Sequence, residues 1–320
     1  MRENRLNPAR NRIPKSATEK ALVEGIENSG YPLQGVVAGK LLKRGFHVTE
    51  EWGFPSRVTH EPRTLDLLGT LAVHANSWTD VRPGLLLLIE CKKSAHPYVF
   101  FRTLAEHDVS WFPRVAGLPH RGIMLVRVEN GDVAGQHLIS GAQSLGLDKT
   151  PFVKDNVDTA AVFSKAELKN DKAILSGSEP FNSIIMPLAQ ASDHAMTVFK
   201  HSLNSEFYYP RLIICIAVLD APMVLVESPE QCADPVLTPW VRVIRQEPDL
   251  DQFARWPIKA YTADVVHVDF FDTFLDALAL PFAEEFGKRA VRLGSGPMAN
   301  GGQVPDMDRW EWTEICEFRR

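Results

Sequence analysis

Two stretches of this chain are apolar without alternation: Leu85-Leu86-Leu87-Leu88-Ile89, and Leu212 through Leu219. An unbroken run of that length, rich in branched residues, reads as a strand buried on both faces of a sheet. Around them the pattern predicts further elements. Ser16-Ala17-Thr18-Glu19 has the form of a capping box, which predicts a helix from there to about Asn28. Gly30-Tyr31-Pro32 breaks it, and a second helix is predicted from about Leu33 to Arg44. Strands are predicted at Phe46–Phe54, Thr64–Val73, Leu85–Lys92 and Ile123–Val128. Between Pro97 and Phe112 the aromatics Tyr98, Phe100, Phe101, Trp111 and Phe112 suggest a core helix. Residues 129–180 carry the weakest pattern and read as an insertion or connecting region, with a helix at 156–169. Beyond them come a long helix at Phe181–Lys200 and strands at Arg211–Leu219, Met223–Glu227, Trp240–Arg245 and Ala263–Val268. A short helix at Phe270–Leu278 and a loop-like tail from Gly294 complete the reading.

The fold class that follows is α/β, a mixed central sheet flanked by helices. No Pro/Ser/Gly linker separates the strand-rich halves, so the C-terminal strands are expected to extend the same sheet. The organisation expected is a basic arm at 1–18, a core at 19–130, the connecting region at 131–180, C-terminal strands and helices at 181–290, and a tail at 291–320.

Charge changes the picture at one place. The apolar run ending at Ile89 continues directly into Glu90-Cys91-Lys92-Lys93. On a strand, residues two apart share a face, so Glu90 and Lys92 stand together and Cys91 points away. The preceding strand carries Asp66 in Arg63-Thr64-Leu65-Asp66-Leu67-Leu68. If these strands pair, two carboxylates and an ammonium meet, a setting for a hard divalent cation and a positioned water. The competing expectation is a structural ion-pair network of Asp66 and Glu90 with Lys92 and Arg63, a kind of pairing that contributes roughly 0–1 kcal/mol at a surface.

The order helix, strand, Asp66 strand, Ile89-Glu90-Cys91-Lys92 resembles the PD-(D/E)XK nuclease superfamily, the restriction-endonuclease-like fold. The resemblance covers roughly residues 20–130, with Leu65-Asp66 in place of Pro-Asp. It implies a metal-dependent endonuclease that hydrolyses phosphodiester bonds, with Mg²⁺ or Mn²⁺ as cofactor. Asp66, Glu90 and the backbone carbonyl of Cys91 would be metal ligands, and Lys92 would position the attacking water. Many members carry a glutamate on the first core helix that helps hold a metal; the best-fitting position here is Gln34, a candidate metal ligand whose amide can offer one oxygen but adds no charge. Arg63 and Lys93 are candidate phosphate contacts. The implied partner is nucleic acid, DNA before RNA, in a host-defence or restriction-type role. A targeting partner protein and a homodimer are both compatible with it. The alternative is a non-catalytic nuclease-like subunit that binds nucleic acid or a partner protein, a reading that Gln34 favours.

Composition narrows the remaining choices. With 320 residues, 45% of them hydrophobic, a sizeable core needs no disulfide staple. Cys91, Cys215, Cys232 and Cys316 are far apart, so zinc is not expected and buried free thiols are. The polar, basic N-terminus and the lack of an apolar run near the ~18–20 residues of a membrane span predict a cytoplasmic protein. A net charge of −5 argues against a surface coated in positive charge. Gly35-Val36-Val37-Ala38-Gly39-Lys40 has the wrong spacing for a phosphate loop and lies in a helical pattern. Glu106-His107-Asp108 and His267-Val268-Asp269 read as surface or capping groups.

Overall fold

The computed structural model describes residues 13–14, 18–56, 61–73, 79–103, 112–118, 122–129, 132–154, 157–170, 172–200, 205–228, 233–248, 258–293 and 314–317. Residues 1–12 and 15–17 of the basic arm expected at 1–18, with Glu106-His107-Asp108, Cys232 and the Gly294–Gly302 segment, lie outside them. The strands are β1 His47–Pro55, β2 Pro62–Ala72, β3 Gly84–Lys93, β4 Tyr98–Arg102, β5 Arg114–Ala116, β6 Gly122–Glu129, β7 Asp132–Ser140 and β8 Thr159–Lys169. They continue as β9 Lys172–Ser176, β10 Arg211–Asp220, β11 Met223–Ser228, β12 Ala233–Leu237, β13 Trp240–Pro248, β14 Ile258–His267 and β15 Glu314–Glu317. The helices are α1 Glu19–Asn28, α2 Tyr31–Leu42, α3 Gly141–Ser144, α4 Pro151–Lys154, α5 Ser178–Pro180, α6 Met186–Val198, α7 Phe271–Phe274 and α8 Leu280–Leu293. Single π turns at Phe181–Ile185 and Leu275–Ala279 join α5 to α6 and α7 to α8.

The molecule is an α/β structure around a large mixed sheet. Its strand order is β1-β2-β3-β10-β14-β13-β8-β4-β11-β12, with β5 beside β10 and β9 beside β8. At its centre β10 runs parallel to both β3 and β14. These are the two apolar runs of the sequence laid side by side, Leu212 opposite Leu85 and Ile216 opposite Ile89. Their alternate residues feed two cores. Leu85, Leu87, Ile89 and Cys91 join Leu212, Ile214, Ile216 and Val218 under α2 and α8. Leu86 and Leu88 join Ile213, Cys215, Ala217 and Leu219 under α6. Burial on both faces is why neither run alternates.

Local chemistry fixes the N-terminal helices. Thr18 caps α1, its Oγ1 accepting from the Ala21 N–H at 3.1 Å. The capping residue is therefore Thr18, with Glu19 as the first helical residue, and not Ser16. The second helix stops where Gly45 takes φ +81°, the left-handed conformation that glycine adopts without strain. Lys40, the lysine of the phosphate-loop-like string, ties α2 to the C-terminal helices through Asp272 at 2.7 Å. Arg44 does the same through Asp276 at 2.6 Å.

Several expectations are overturned. The aromatic segment expected as a helix forms strand β4 at Tyr98–Arg102, because its branched and aromatic residues pair with both β8 and β11. The helix expected at 156–169 is strand β8. Ile123–Val128 is a strand, but it sits in a separate three-stranded sheet between β15 and β7, so it does not complete the core. On the side of β3 away from β2 the sheet continues with β10, a pairing set by matched double-sided burial across a long sequence separation. The short C-terminal helix also continues past Leu278 to Leu293.

Candidate functional site

β2 and β3 pair antiparallel from Ala72↔Gly84 to Leu67↔Ile89. Beyond that last pair they separate, while β3 stays paired with β10 as far as Lys93↔Asp220. Asp66 and Glu90 are the first residues past the fork. The fork is held by a side chain: Asp66 Oδ2 accepts the backbone N–H of Cys91 at 2.6 Å. Cys91 itself is 5% exposed and turned into the α2 core. Its thiol is pushed well above the ordinary range by burial, with Asp66 and Glu90 adding to the effect.

Glu90 is the anomalous group. It is 6% exposed, the end of a strand buried on both faces. Lys92 Nζ reaches its Oε1 at 2.6 Å, while Oε2 is buried with no hydrogen-bond partner among the described residues. Burial, with the Asp66 and Glu51 charges behind it, pushes the Glu90 carboxyl up to about 7 despite Lys92. Asp66 is raised above the usual carboxylate range for the same first reason, burial, against the opposing Cys91 N–H and Lys92. For Lys92, burial works to lower the value, but Glu90 and Asp66 outweigh it and keep the ammonium charged.

Gln34, buried at 6% exposure on α2, points into this cluster. Its Nε2 donates to the Asp66 carbonyl at 2.8 Å and to Glu51 Oε1 at 3.3 Å. Both partners are pure acceptors, so the nitrogen end of the amide must face them. Gln34 therefore acts as a donor that holds Glu51 and the Asp66 backbone.

Glu51 is the residue sequence reasoning missed. Its neighbours pair regularly with β2, Glu50↔Leu67 and Trp52↔Leu65, which sets Glu51 across from Asp66. Its own φ is +50°, a conformation that costs a non-glycine residue ~1–3 kcal/mol and clusters at functional sites. Nothing in Glu50-Glu51 distinguishes one glutamate from the other before the kink is seen. The His194 ring of α6 lies 5.4 Å from that of Trp52, the next residue on β1, and 6.4 Å from Phe54, its pKa lowered by burial.

The other predicted residues lie around the fork. Arg63 is exposed on β2, opposite Phe54 and about 10 Å along the strand from Asp66. Lys93 is engaged with the Glu27 carbonyl at 2.8 Å and lies 3.7 Å from Asp220.

In donor chemistry the cluster suits a hard divalent cation. It offers carboxylate oxygens of Asp66, Glu90 and Glu51, with a buried Glu90 Oε2 left unsatisfied. It is not a preassembled cage: among the described residues no three His, Cys, Asp or Glu side chains are grouped closely enough to hold a metal ion as they stand. Compared with family models, curated proteins and solved structures, the chain matches none. Among the described residues no helix is long and apolar enough to cross a membrane.

Proposed function

We propose that this chain is a metal-dependent endonuclease of the restriction-endonuclease-like class, hydrolysing phosphodiester bonds, in DNA first, at the β2–β3 fork. One observation carries the reading: a lysine and two carboxylates meet where a doubly buried strand leaves its neighbour, with Lys92 Nζ 2.6 Å from Glu90 and Asp66 clamped on the Cys91 N–H at 2.6 Å. A bound Mg²⁺ would be held by Asp66 and Glu90, with Glu51 as third carboxylate. It would supply positive charge for the phosphoryl oxygens and lower the pKa of a bound water.

The chain's own residues do the rest. An ammonium has three donors. Glu90 takes one from Lys92; the others, with no other partner among the described residues, would hold a water or a phosphoryl oxygen. Glu90 fixes the lysine stem, so the donors are aimed before substrate arrives. The Asp66 bond to Cys91 N–H keeps the fork open at a constant width. Gln34 holds Glu51 next to Asp66, so the cluster's negative charge is maintained against its own repulsion. With Glu90 near 7, its carboxyl exchanges a proton for a cation around neutral pH.

A specific observation favours the second reading, a non-catalytic nuclease-like subunit. Lys92 already occupies one Glu90 oxygen, and among the described residues no three ligand side chains are grouped closely enough to hold a metal ion. The two readings separate in a single assay. Purified protein is incubated with supercoiled plasmid, linear duplex and single strands, with EDTA, Mg²⁺ or Mn²⁺. Cleavage that needs the cation and disappears in Asp66→Ala supports the enzyme. Binding without cleavage under every condition supports the subunit.

A further inference from the structure

At the other end of β3 and β10 the parallel pairing continues backwards through a loop. Val81 bridges Tyr208, the Arg82 N–H donates to the Tyr208 carbonyl at 2.6 Å, and the Gly84 N–H donates to the Pro210 carbonyl at 3.0 Å. Alternation along this extended segment puts Phe207, Tyr209 and Arg211 on one face. The Arg82 guanidinium stacks over Phe207, 4.8 Å from its centroid, and Arg211 over Tyr209 at 5.4 Å. The two rings meet edge to face at 6.4 Å. They are 37% and 40% exposed, large apolar faces left open on a loop.

Arg211 sharpens the picture. Its guanidinium has no hydrogen bond and no ion pair among the described residues and lies over the Tyr209 ring. Burial lowers its pKa below the ordinary arginine value. A guanidinium that has lost water and gained no anion is incomplete. It is nonetheless seated by design of the backbone. A Cβ at Gly84 would lie 2.0 Å from Arg211 Nη1, so the guanidinium occupies the space that glycine leaves. Asp80 and Glu206 are the nearby acidic residues in sequence, and neither pairs with Arg211. The adjoining segments 74–78 and 201–204 contain no Asp or Glu.

We propose that Phe207, Tyr209, Arg82 and Arg211 form a platform for a single-stranded nucleic-acid segment. The open ring faces stack bases, and the Arg211 fork takes a phosphate bidentately. Alternating rings and guanidiniums suit a polymer that alternates bases and phosphates. Gly84 and Glu90 lie on one strand, so the platform is about 20 Å from the fork. The choice of nucleic acid as occupant rests on the function proposed for the fork. The platform would hold strand that the fork does not cut.

The test measures binding of a fluorescent oligothymidylate and of a duplex of equal length to the full chain in EDTA, with inorganic phosphate as competitor. Variants are Arg211→Gln and the double change Phe207→Ala with Tyr209→Ala, each checked for an unchanged melting temperature. Each is expected to weaken single-strand binding about tenfold or more, by the ~1–3 kcal/mol typical of one stacked base. Duplex binding should fall less. If the double variant unfolds, Arg211→Gln alone decides. Unchanged affinity in the variants, absence of oligonucleotide binding by wild type, or displacement by phosphate as effective as by oligonucleotide overturns the platform. Failure of the fork reads differently: platform-dependent binding with no cleavage in any cation leaves this inference standing and removes the nuclease. Cleavage with variant-independent binding does the reverse.

Discussion

Glu90 carries most of the electrostatic tension of the site. Its carboxyl ordinarily titrates near 4.5 and is pushed up to about 7 by burial in the folded chain. The sign of the consequence follows. Below about 4.5 it is protonated in both states and has no effect. Between the two values the folded state holds the extra proton, so metal-free stability falls as pH rises, and above about 7 the whole cost is present. The size is of order 3 kcal/mol. Melting curves in EDTA should therefore show stability declining from pH 5 to pH 7.5, and Glu90→Gln should flatten that decline. A decline equally steep in Glu90→Gln would mean that another group is responsible. Gln34→Glu puts a carboxylate where a donor serves Glu51 and the Asp66 carbonyl. It should cost about 1–3 kcal/mol without metal and tighten Mg²⁺ or Mn²⁺ binding, read as a larger metal-induced rise in melting temperature. A variant as stable as wild type with unchanged metal response would detach Gln34 from the site. At this scale the sequence was legible where a buried run met charge: Asp66, Glu90 and Lys92 stand out because such a strand does not end in ions without reason. Glu51 was not legible, because its role depends on a backbone kink and on a bond from another element.

Strands β3 and β10 were readable for the same reason, since burial on both faces leaves an unbroken apolar signature in sequence. Helix against strand was misread where aromatics and branched residues cluster without a clear period, at Tyr98–Arg102 and Thr159–Lys169. There partner strands decide the outcome, and partners are not local. The same holds for Arg242 and Asp264, directly opposed on β13 and β14 and each 1% exposed. Arg242 Nε meets Asp264 Oδ1 at 2.9 Å, Trp240 Nε1 donates to the same oxygen at 3.0 Å, and the guanidinium packs 4.5 Å from the Phe112 centroid and 4.6 Å from that of Phe152. Neither residue drew notice in the sequence, because a charge in an alternating strand looks solvated until its partner is placed. Asp264→Ala strands a buried guanidinium and should cost about 3–5 kcal/mol in urea unfolding. A loss under 1 kcal/mol would show that water or Phe152 compensates.

For the whole molecule, the proposed nucleic-acid contact has to be reconciled with a net charge of −5. The proposal places the positive charge it needs locally, with Lys92 at the fork and with Arg211 at the start of β10 and Arg82 just before β3, toward the far end of the same strands. The sequence disclosed the mixed sheet, its flanking helices and the pairing of the Asp66 strand with β3, but not β10 as the other neighbour of β3, because that pairing crosses more than a hundred residues and leaves no local trace. The central claim is that the fork performs chemistry. The most direct measurement compares wild type and Lys92→Ala for rate of oligonucleotide cleavage in Mg²⁺, and for binding of the same oligonucleotide in EDTA, on the same preparations. Lys92 is half-buried and, among the described residues, pairs only with Glu90 within the site, so both proteins should fold. The account predicts a rate at least 100-fold lower in Lys92→Ala, the scale of a lost positioned proton-handling or charge-stabilising group, with binding within a few-fold of wild type. Equal behaviour of the two proteins, binding present and cleavage absent or unchanged in both, would contradict it.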